Sequence, residues 1–171
     1  LAFADRYSFC VINATDLLKL NNYNIKILAQ KFYNDTYLVD QNACSSPHLI
    51  IWMGNKIEKA KQKFWKLLEQ IVSEKYLLTE TAAIDKYTQF CADILRLKNI
   101  KKHEKFGNYI YTISLKKLDD NTHNLRGKWG YFYEYSLQDL NKIKNYINNK
   151  YQTLTYFGLD KNILKNFILK N

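Results

Sequence analysis

Two short apolar runs with a helical pattern between them constrain the fold of this chain more than any other feature. Residues 7–13 (YSFCVIN) and 49–52 (LIIW) are apolar enough to be strands covered on both faces. Between them, apolar side chains recur at the spacing of one helical face, at positions 25, 28, 29 and 32. Strand, crossover helix and strand in this order are typical of a parallel sheet.

Helical and strand-like periods alternate through the rest of the chain. One helix is expected from Ile57 to Val72, and a second has an apolar stripe at positions 84, 87, 91, 94 and 95. The cluster at 98–107 is interpreted as basic and solvated. We therefore predict one α/β domain over residues 1–171, three-layered, with a mostly parallel sheet flanked by helices. Further strands are expected at 109–115, 130–135 and 153–157, and helices after Ser136 and Asp160.

Composition excludes several classes of protein. With 47% hydrophobic and 25% charged residues in 171, the chain resembles ordinary globular proteins and disorder is not expected. No stretch approaches the ~20 apolar residues of a membrane helix. Residues 1–6 lack a signal-peptide pattern, and the chain does not begin with Met. We expect a cytoplasmic piece of a longer protein, without a membrane span.

The basic excess is confined to one part of the chain. Residues 1–52 carry four basic and four acidic side chains, so the net charge of +10 lies beyond them. A basic excess can bind phosphates, but most of these residues are lysines spread along predicted helices, which is typical of a solvated face. Nucleic-acid binding is therefore not favoured. It would require one patch formed by the lysines at 98, 101, 102, 105, 116 and 117.

Of the three cysteines, only Cys44 has the surroundings of a reactive group. Cys10 and Cys91 fall on apolar faces, where thiols are buried, protonated and inert. Cys44 follows a helix and precedes a buried strand, in the kind of strand-adjacent loop where open α/β sheets bind ligands. A thiol there can act as a nucleophile, with neighbouring backbone N–H groups for an oxyanion; an ordinary loop cysteine is the alternative. The cysteine spacing fits neither a disulfide framework nor a metal site.

Two further side chains are weak candidates for the site. His48, four residues after Cys44, could be an activating base, but it begins a strand and a structural histidine is the stronger interpretation. Glu134 is the one acid in the strand at 130–135, where it faces solvent by default or points at a cleft. His103 and His123 are expected in solvent. The five glycines form no phosphate-binding fingerprint.

Several segments together resemble one known family. They are DRYSF at 5–9, FYND at 32–35, DQNACSSP at 40–47, GYFYEY at 130–135 and YQTLTYFG at 151–158. These resemble the long-chain acyl-CoA reductases of the LuxC type, the fatty-acid reductase components of bacterial bioluminescence. More distantly, the layout is similar to the catalytic domain of aldehyde dehydrogenases, with Asp40 in place of the glycine of a Gly-Gln-x-Cys segment.

The resemblance implies a reaction and its participants. Cys44 would accept a fatty acyl group as a thioester, from acyl-CoA or from a partner acyl-protein synthetase. NADPH would reduce this thioester to a long-chain aldehyde. Backbone N–H groups around Cys44, including that of Ser45, and the Asn42 side chain would stabilise the oxyanion. The full-length protein is expected to be a homo-oligomer.

Departures from the aldehyde dehydrogenase pattern leave alternatives open. Those enzymes place a cofactor-contacting Glu just before the strand that corresponds to 130–135, where this chain has RGKW at 126–129. Their oxyanion-hole asparagine and the nucleotide-binding domain would lie outside this chain, so the fragment alone is expected to be inactive. The alternatives are a basic module that binds nucleic acid or another polyanion, and a thioester hydrolase with His48 or Glu134 as its base.

Overall fold

A six-stranded sheet organises the chain in the computed structural model, which describes residues 6–169. From one edge to the other its order is β3-β4-β5-β2-β1-β6. All neighbours pair in parallel except β3, which is antiparallel to β4. The mostly parallel sheet predicted from sequence is therefore confirmed. The strands are β1 (Tyr7–Asn13), β2 (Leu49–Met53), β3 (Ile100–Phe106), β4 (Ile110–Leu115), β5 (Tyr131–Ser136) and β6 (Tyr151–Phe157).

Helices cover both faces of this sheet, as expected for three layers. On one face α1, α2 and α3 pack on one core, which includes Ile50, Phe64 and Phe132. On the other face α4 and α5 contribute Phe90 and Phe167 to a second core. The helices are α1 (Ala14–Lys19), α2 (Asn22–Thr36), α3 (Ile57–Lys75), α4 (Glu80–Arg96) and α5 (Lys161–Leu169). Within residues 6–169, no helix combines the length and the apolar character needed to cross a bilayer.

Two expectations about individual elements are wrong, and one strand was not predicted. Residues 100–106 are largely exposed, as expected for a solvated basic cluster, but they also form the edge strand β3, because an edge strand needs little apolar surface. The segment after Ser136 is not an α-helix but a 3-10 helix at Leu140–Tyr146, capped by Asp139. In α4 the buried side is turned by one position from the predicted stripe: Ala82, Lys86, Phe90 and Asp93 are buried, while Ile84, Tyr87 and Leu95 are exposed.

Hydrogen bonds explain why α4 buries a charged residue. The Asp93 carboxylate, 4% exposed, accepts hydrogen bonds from the hydroxyls of Tyr131 (2.9 Å) and Tyr133 (2.5 Å) and from Arg96 (2.7 Å). Burial, together with the neighbouring Asp93 carboxylate, raises the pKa of both tyrosines, so they remain donors at neutral pH. This cluster fastens α4 to β5 through polar contacts that apolar periodicity does not reveal.

Candidate active site

Cys44 lies on an exposed turn at the amino-terminal edge of the parallel strands. After α2, a short 3-10 helix (Tyr37–Val39) leads into Asp40 and Gln41, whose φ angles are +54° and +61°. Aspartate tolerates this left-handed conformation better than most residues, which explains how Asp40 occupies a position that suits glycine. Cys44 is exposed on the turn that follows.

The thiol borders a cavity of about 250 Å³. One wall is the segment 41–44 and the other is 126–128, which precedes β5. Arg6, which precedes β1, and His48, which precedes β2, complete the lining. All of these segments precede their strands, in agreement with the expected place of Cys44 before a buried strand. The described lining residues are Arg6, Gln41, Asn42, Ala43, Cys44, His48, Arg126, Gly127 and Lys128.

Gln41, which the sequence did not single out, joins the two walls. Its side-chain amide is buried and makes four hydrogen bonds. The Nε2 donates to the carbonyls of Pro47 and Tyr131, both at 3.0 Å. The Oε1 accepts from the backbone N–H groups of Gly130 (3.1 Å) and Tyr131 (3.2 Å). One side chain therefore fixes the Cys44 loop against the start of β5.

Two residues of α4 hold the 126–128 wall, and Trp129 after it, on the side opposite to Gln41. Lys86, 1% exposed, donates to the carbonyls of Asn108 and Trp129, the latter at 2.9 Å. Burial, and to a smaller degree the charge of Lys105, lowers the pKa of Lys86 to about 7. Gln89 donates to the Arg126 carbonyl at 2.6 Å. This wall of the cavity is thus positioned by α4 on one side and by Gln41 on the other.

Serine hydroxyls anchor the main chain around the thiol. Ser8 Oγ, in β1, donates to the carbonyl of Cys44 at 2.5 Å, and Ser46 Oγ donates to the carbonyl of Asp35 at 2.7 Å. The Ser46 N–H closes the turn on Ala43 at 3.0 Å. Cys44 is therefore exposed at its sulfur but tethered at its backbone.

His48 is placed as a structural residue that also lines the cavity. It is 6% exposed, its Nδ1 lies 3.1 Å from the Gly127 carbonyl oxygen, and its ring stacks on Tyr7 at 5.6 Å. Because a carbonyl only accepts, Nδ1 carries a proton and donates to it. His48 therefore fixes Gly127, in agreement with the stronger interpretation from sequence.

Asn42 and Ser45, both exposed, differ in their relation to the cavity. Asn42 lines it, and its backbone N–H is already used by the Val39 carbonyl at 2.8 Å. Its side-chain amide is thus the group that Asn42 can offer to an oxyanion. Ser45 is not among the described lining residues.

Glu134 neither faces solvent nor points at the cavity, so both expectations for it are wrong. It is 0% exposed and accepts from the indole N–H groups of Trp52 (2.8 Å) and Trp65 (2.9 Å). Ser114 donates to it at 2.9 Å, and Lys61, also buried, at 3.1 Å. A carboxylate enclosed by these donors is a core element on the α3 face of the sheet. It is not a base for Cys44.

The other two cysteines differ from each other. Cys10 is buried as predicted, and desolvation raises the pKa of its thiol to about 12. Cys91 is only partly buried, contrary to prediction, because the buried side of α4 is turned away from it. Among residues 6–169, no three His, Cys, Asp or Glu side chains come together as a metal site. His103 is exposed as expected, but His123 is buried against expectation at 8%.

The lysines that a polyanion-binding patch would need do not all meet. Lys101, Lys102 and Lys116 line a common cavity of about 110 Å³ at the β3–β4 hairpin. Lys102 is ion-paired there with Glu104 at 2.8 Å. Lys105 lies at the other end of the hairpin, over the rings of Tyr87 and Tyr111. The positive charge of Lys102 is thus compensated by Glu104, and Lys105 is too far along the hairpin to join the other lysines.

This α/β fold is similar to that of aldehyde dehydrogenases. Similar solved structures include aldehyde dehydrogenase 21 from Physcomitrella patens in complex with succinate, with a TM-score of 0.59 and 13% identity over 96% of this chain. An NAD-dependent aldehyde dehydrogenase from Sinorhizobium meliloti gives 0.60 and 9% over 96%. The NAD-bound delta-pyrroline-5-carboxylate dehydrogenase from Mycobacterium tuberculosis gives 0.54 and 8%, also over 96%.

These likenesses establish the fold. This chain spans only about a third of each solved structure: 36%, 35% and 32% respectively. No protein-family model matches the chain, and no curated protein matches its sequence.

Proposed function

We propose that this chain is the acyl-accepting part of a reductase that converts a long-chain acyl thioester to an aldehyde. The enzyme would be an oxidoreductase acting on the aldehyde group, and it resembles the LuxC-type reductases. The observation that carries the proposal is Cys44, which is exposed on a tethered turn beside an open cavity, within an aldehyde dehydrogenase-like fold. Acyl-CoA or an acylated partner protein would be the donor.

Cys44 begins the reaction as the nucleophile. After the thiol has released its proton, its sulfur forms a bond to the acyl carbon. The donor's sulfur leaves as a thiolate with the electron pair of the broken C–S bond and takes up a proton, and the acyl group stays on the protein as a thioester. The tethered backbone favours this step, because Ser8 and Ser46 hold the turn while the sulfur stays accessible. The Asn42 amide, at the cavity, would donate to the developing oxyanion; one such donor contributes ~3 kcal/mol.

The described side chains around the acyl group support reduction over hydrolysis in this proposal. No Asp or Glu is among the described residues of the cavity lining. His48 donates from Nδ1 to the Gly127 carbonyl, so only its Nε2 could act as a base. With no carboxylate among the described lining residues to activate water, we expect the thioester to persist until it is reduced.

A nicotinamide nucleotide, NADPH in our proposal, would supply the hydride that releases the aldehyde and the free thiolate. The cavity fits such a ligand in being open and in having cationic side chains at its lining. The nucleotide-binding domain would belong to another part of the full-length protein, which we propose to be a cytoplasmic homo-oligomer.

Apolar side chains beside the Cys44 turn support a fatty substrate. A long alkyl chain on Cys44 would extend out of this open cavity of about 250 Å³. Leu38 and Val39, just before the turn, are 65% and 46% exposed. An alkyl chain lying over them would be stabilised by ~0.8 kcal/mol for each buried CH₂ group.

Acylation mapped by mass spectrometry tests the proposal. The natural full-length protein is incubated with tetradecanoyl-CoA without NADPH. We expect one hydroxylamine-labile acyl group on Cys44, lost in Cys44→Ala and retained in the matched control Cys91→Ala. Label on another residue, or no label, contradicts the proposal. Rapid loss of label to water favours the thioester hydrolase instead.

A further inference from the structure

The cations at the cavity form a group that neither the tethering of Cys44 nor its acylation uses. Arg6, Arg126 and Lys128 all line the cavity. They come from two segments far apart in sequence, and the sheet brings them together because β1 and β5 begin at the same edge. Acyl transfer to a thiol from an uncharged donor does not require three cations.

The cations and the neutral lining residues lie at different depths in the cavity. Gln41, His48 and Gly127 are buried, whereas Arg6 and Lys128 are exposed. The two exposed cations therefore lie at the mouth, with the partly buried Arg126 between mouth and floor. We call Arg6, Arg126 and Lys128 the cationic mouth.

The described contacts of the two exposed cations are with neutral groups. Arg6 donates to the carbonyl of Asn149 at 2.6 Å, and Lys128 lies 5.7 Å from the centre of the Trp129 ring. Neither is ion-paired with any residue in 6–169. These neutral contacts orient the side chains and leave their positive charge to act on a ligand. Arg126 is oriented in turn over the ring of Tyr7, at 5.4 Å.

We propose that the cationic mouth binds the phosphate groups of a ligand whose reactive end reaches Cys44. Arginine and lysine donate charge-assisted hydrogen bonds to phosphate oxygens, and several cations around one opening attract a polyanion. Phosphates held at the mouth leave the reactive end free to enter the cavity. The proposal rests on the proposed function, and it identifies the chemistry by which the ligand is recognised.

Two ligands of the proposed reaction carry such phosphates. One is the acyl donor, if it is a CoA thioester, and the other is the nicotinamide nucleotide. Both have a diphosphate on a flexible arm. The shared chemistry is an organic diphosphate, and the two sources separate experimentally because acylation does not need the nucleotide.

The test compares donors with and without phosphate, using the natural full-length protein. The rate of Cys44 acylation is measured with tetradecanoyl-CoA and with tetradecanoyl-N-acetylcysteamine, a phosphate-free thioester. Arg6→Gln and Lys128→Gln are compared with Lys26→Gln, which removes an exposed cation on α2. We expect roughly a threefold to tenfold loss with the CoA donor for each mouth variant, and no loss for the phosphate-free donor or for the control.

A second arm measures binding without catalysis. Titration calorimetry with CoA and with NADPH gives dissociation constants for the same variants at low and high salt. A loss of affinity confined to CoA assigns the mouth to the donor, and a loss confined to NADPH assigns it to the nucleotide. Either result supports the proposal, and the affinity concerned should fall as the salt concentration rises. Unchanged constants for both ligands, or equal losses for both acyl donors, overturn it. If neither donor acylates Cys44 of the wild-type protein, the proposed function is refuted, while the dissociation constants still test the cationic mouth.

Discussion

Replacement of Gln41 by leucine should loosen the Cys44 loop from β5 without removing any group at the surface of the cavity mouth. Leucine is similar in size and cannot make the four hydrogen bonds of the Gln41 amide. The Tyr131 N–H keeps a second acceptor, the Lys128 carbonyl at 3.2 Å, so three bonds are lost outright. At about 1 kcal/mol for each buried hydrogen bond, the loss is roughly 3 kcal/mol.

Hydrogen exchange followed by mass spectrometry measures this loss locally, whatever the size of the whole protein. We expect peptides covering residues 127–133 to lose roughly 100-fold in protection, because 1.4 kcal/mol corresponds to a factor of about ten. Gln138→Leu is the matched control, since Gln138 is exposed and makes one hydrogen bond at 3.3 Å. Its effect should stay within about 0.5 kcal/mol. If Gln41→Leu changes protection no more than this control, Gln41 does not join the two walls.

Two further substitutions test the buried charges. Lys86 has its pKa lowered to about 7 from an ordinary 10.5, so between these values the unfolded chain holds a proton that the folded chain has released. Wild-type stability should therefore rise with pH above 7 by about 1.4 kcal/mol per unit relative to Lys86→Met, measured by urea unfolding. Glu134→Gln should cost about 3–5 kcal/mol in the same assay, because it leaves the buried Lys61 ammonium with only the exposed Glu58 carboxylate at 3.9 Å.

Controls and contrary outcomes are available for both substitutions. Lys19→Met breaks the exposed Lys19–Asp16 pair and should cost less than about 1 kcal/mol. An equally small cost for Glu134→Gln would show that the carboxylate is not the partner that holds Lys61. If wild type and Lys86→Met have parallel stability profiles from pH 6 to pH 10, Lys86 keeps its proton throughout.

Apolar periodicity predicted the elements whose buried sides are apolar. The strands β1 and β2 and the helix α3 match their predicted positions for this reason. Apolar periodicity failed where polar side chains are buried together with their hydrogen-bond partners. In α4, Lys86 and Asp93 occupy buried positions because they bond to groups on distant segments. The edge strand β3 was missed because its exposed positions are charged.

The candidate site was predicted in part. Cys44 was singled out by its loop and by the resemblance, and its exposure beside a cavity agrees with that expectation, while its chemical role stays a prediction. Gln41 could not be recognised because its partners at 130 and 131 are some ninety positions away. Glu134 was misplaced because sequence does not show which side chains, such as Trp52 and Trp65, will surround a strand residue.

The charged edge strand has a consequence for how this chain behaves in concentrated solution. Within residues 6–169, β3 ends the sheet on one side and presents exposed lysines at 101 and 105, next to Lys102, which is ion-paired with Glu104. Another strand that approached this free edge would have to strip water from those ammonium groups, and an identical β3 would also be repelled by like charge. Extension of the sheet from one molecule to the next through β3 is therefore disfavoured.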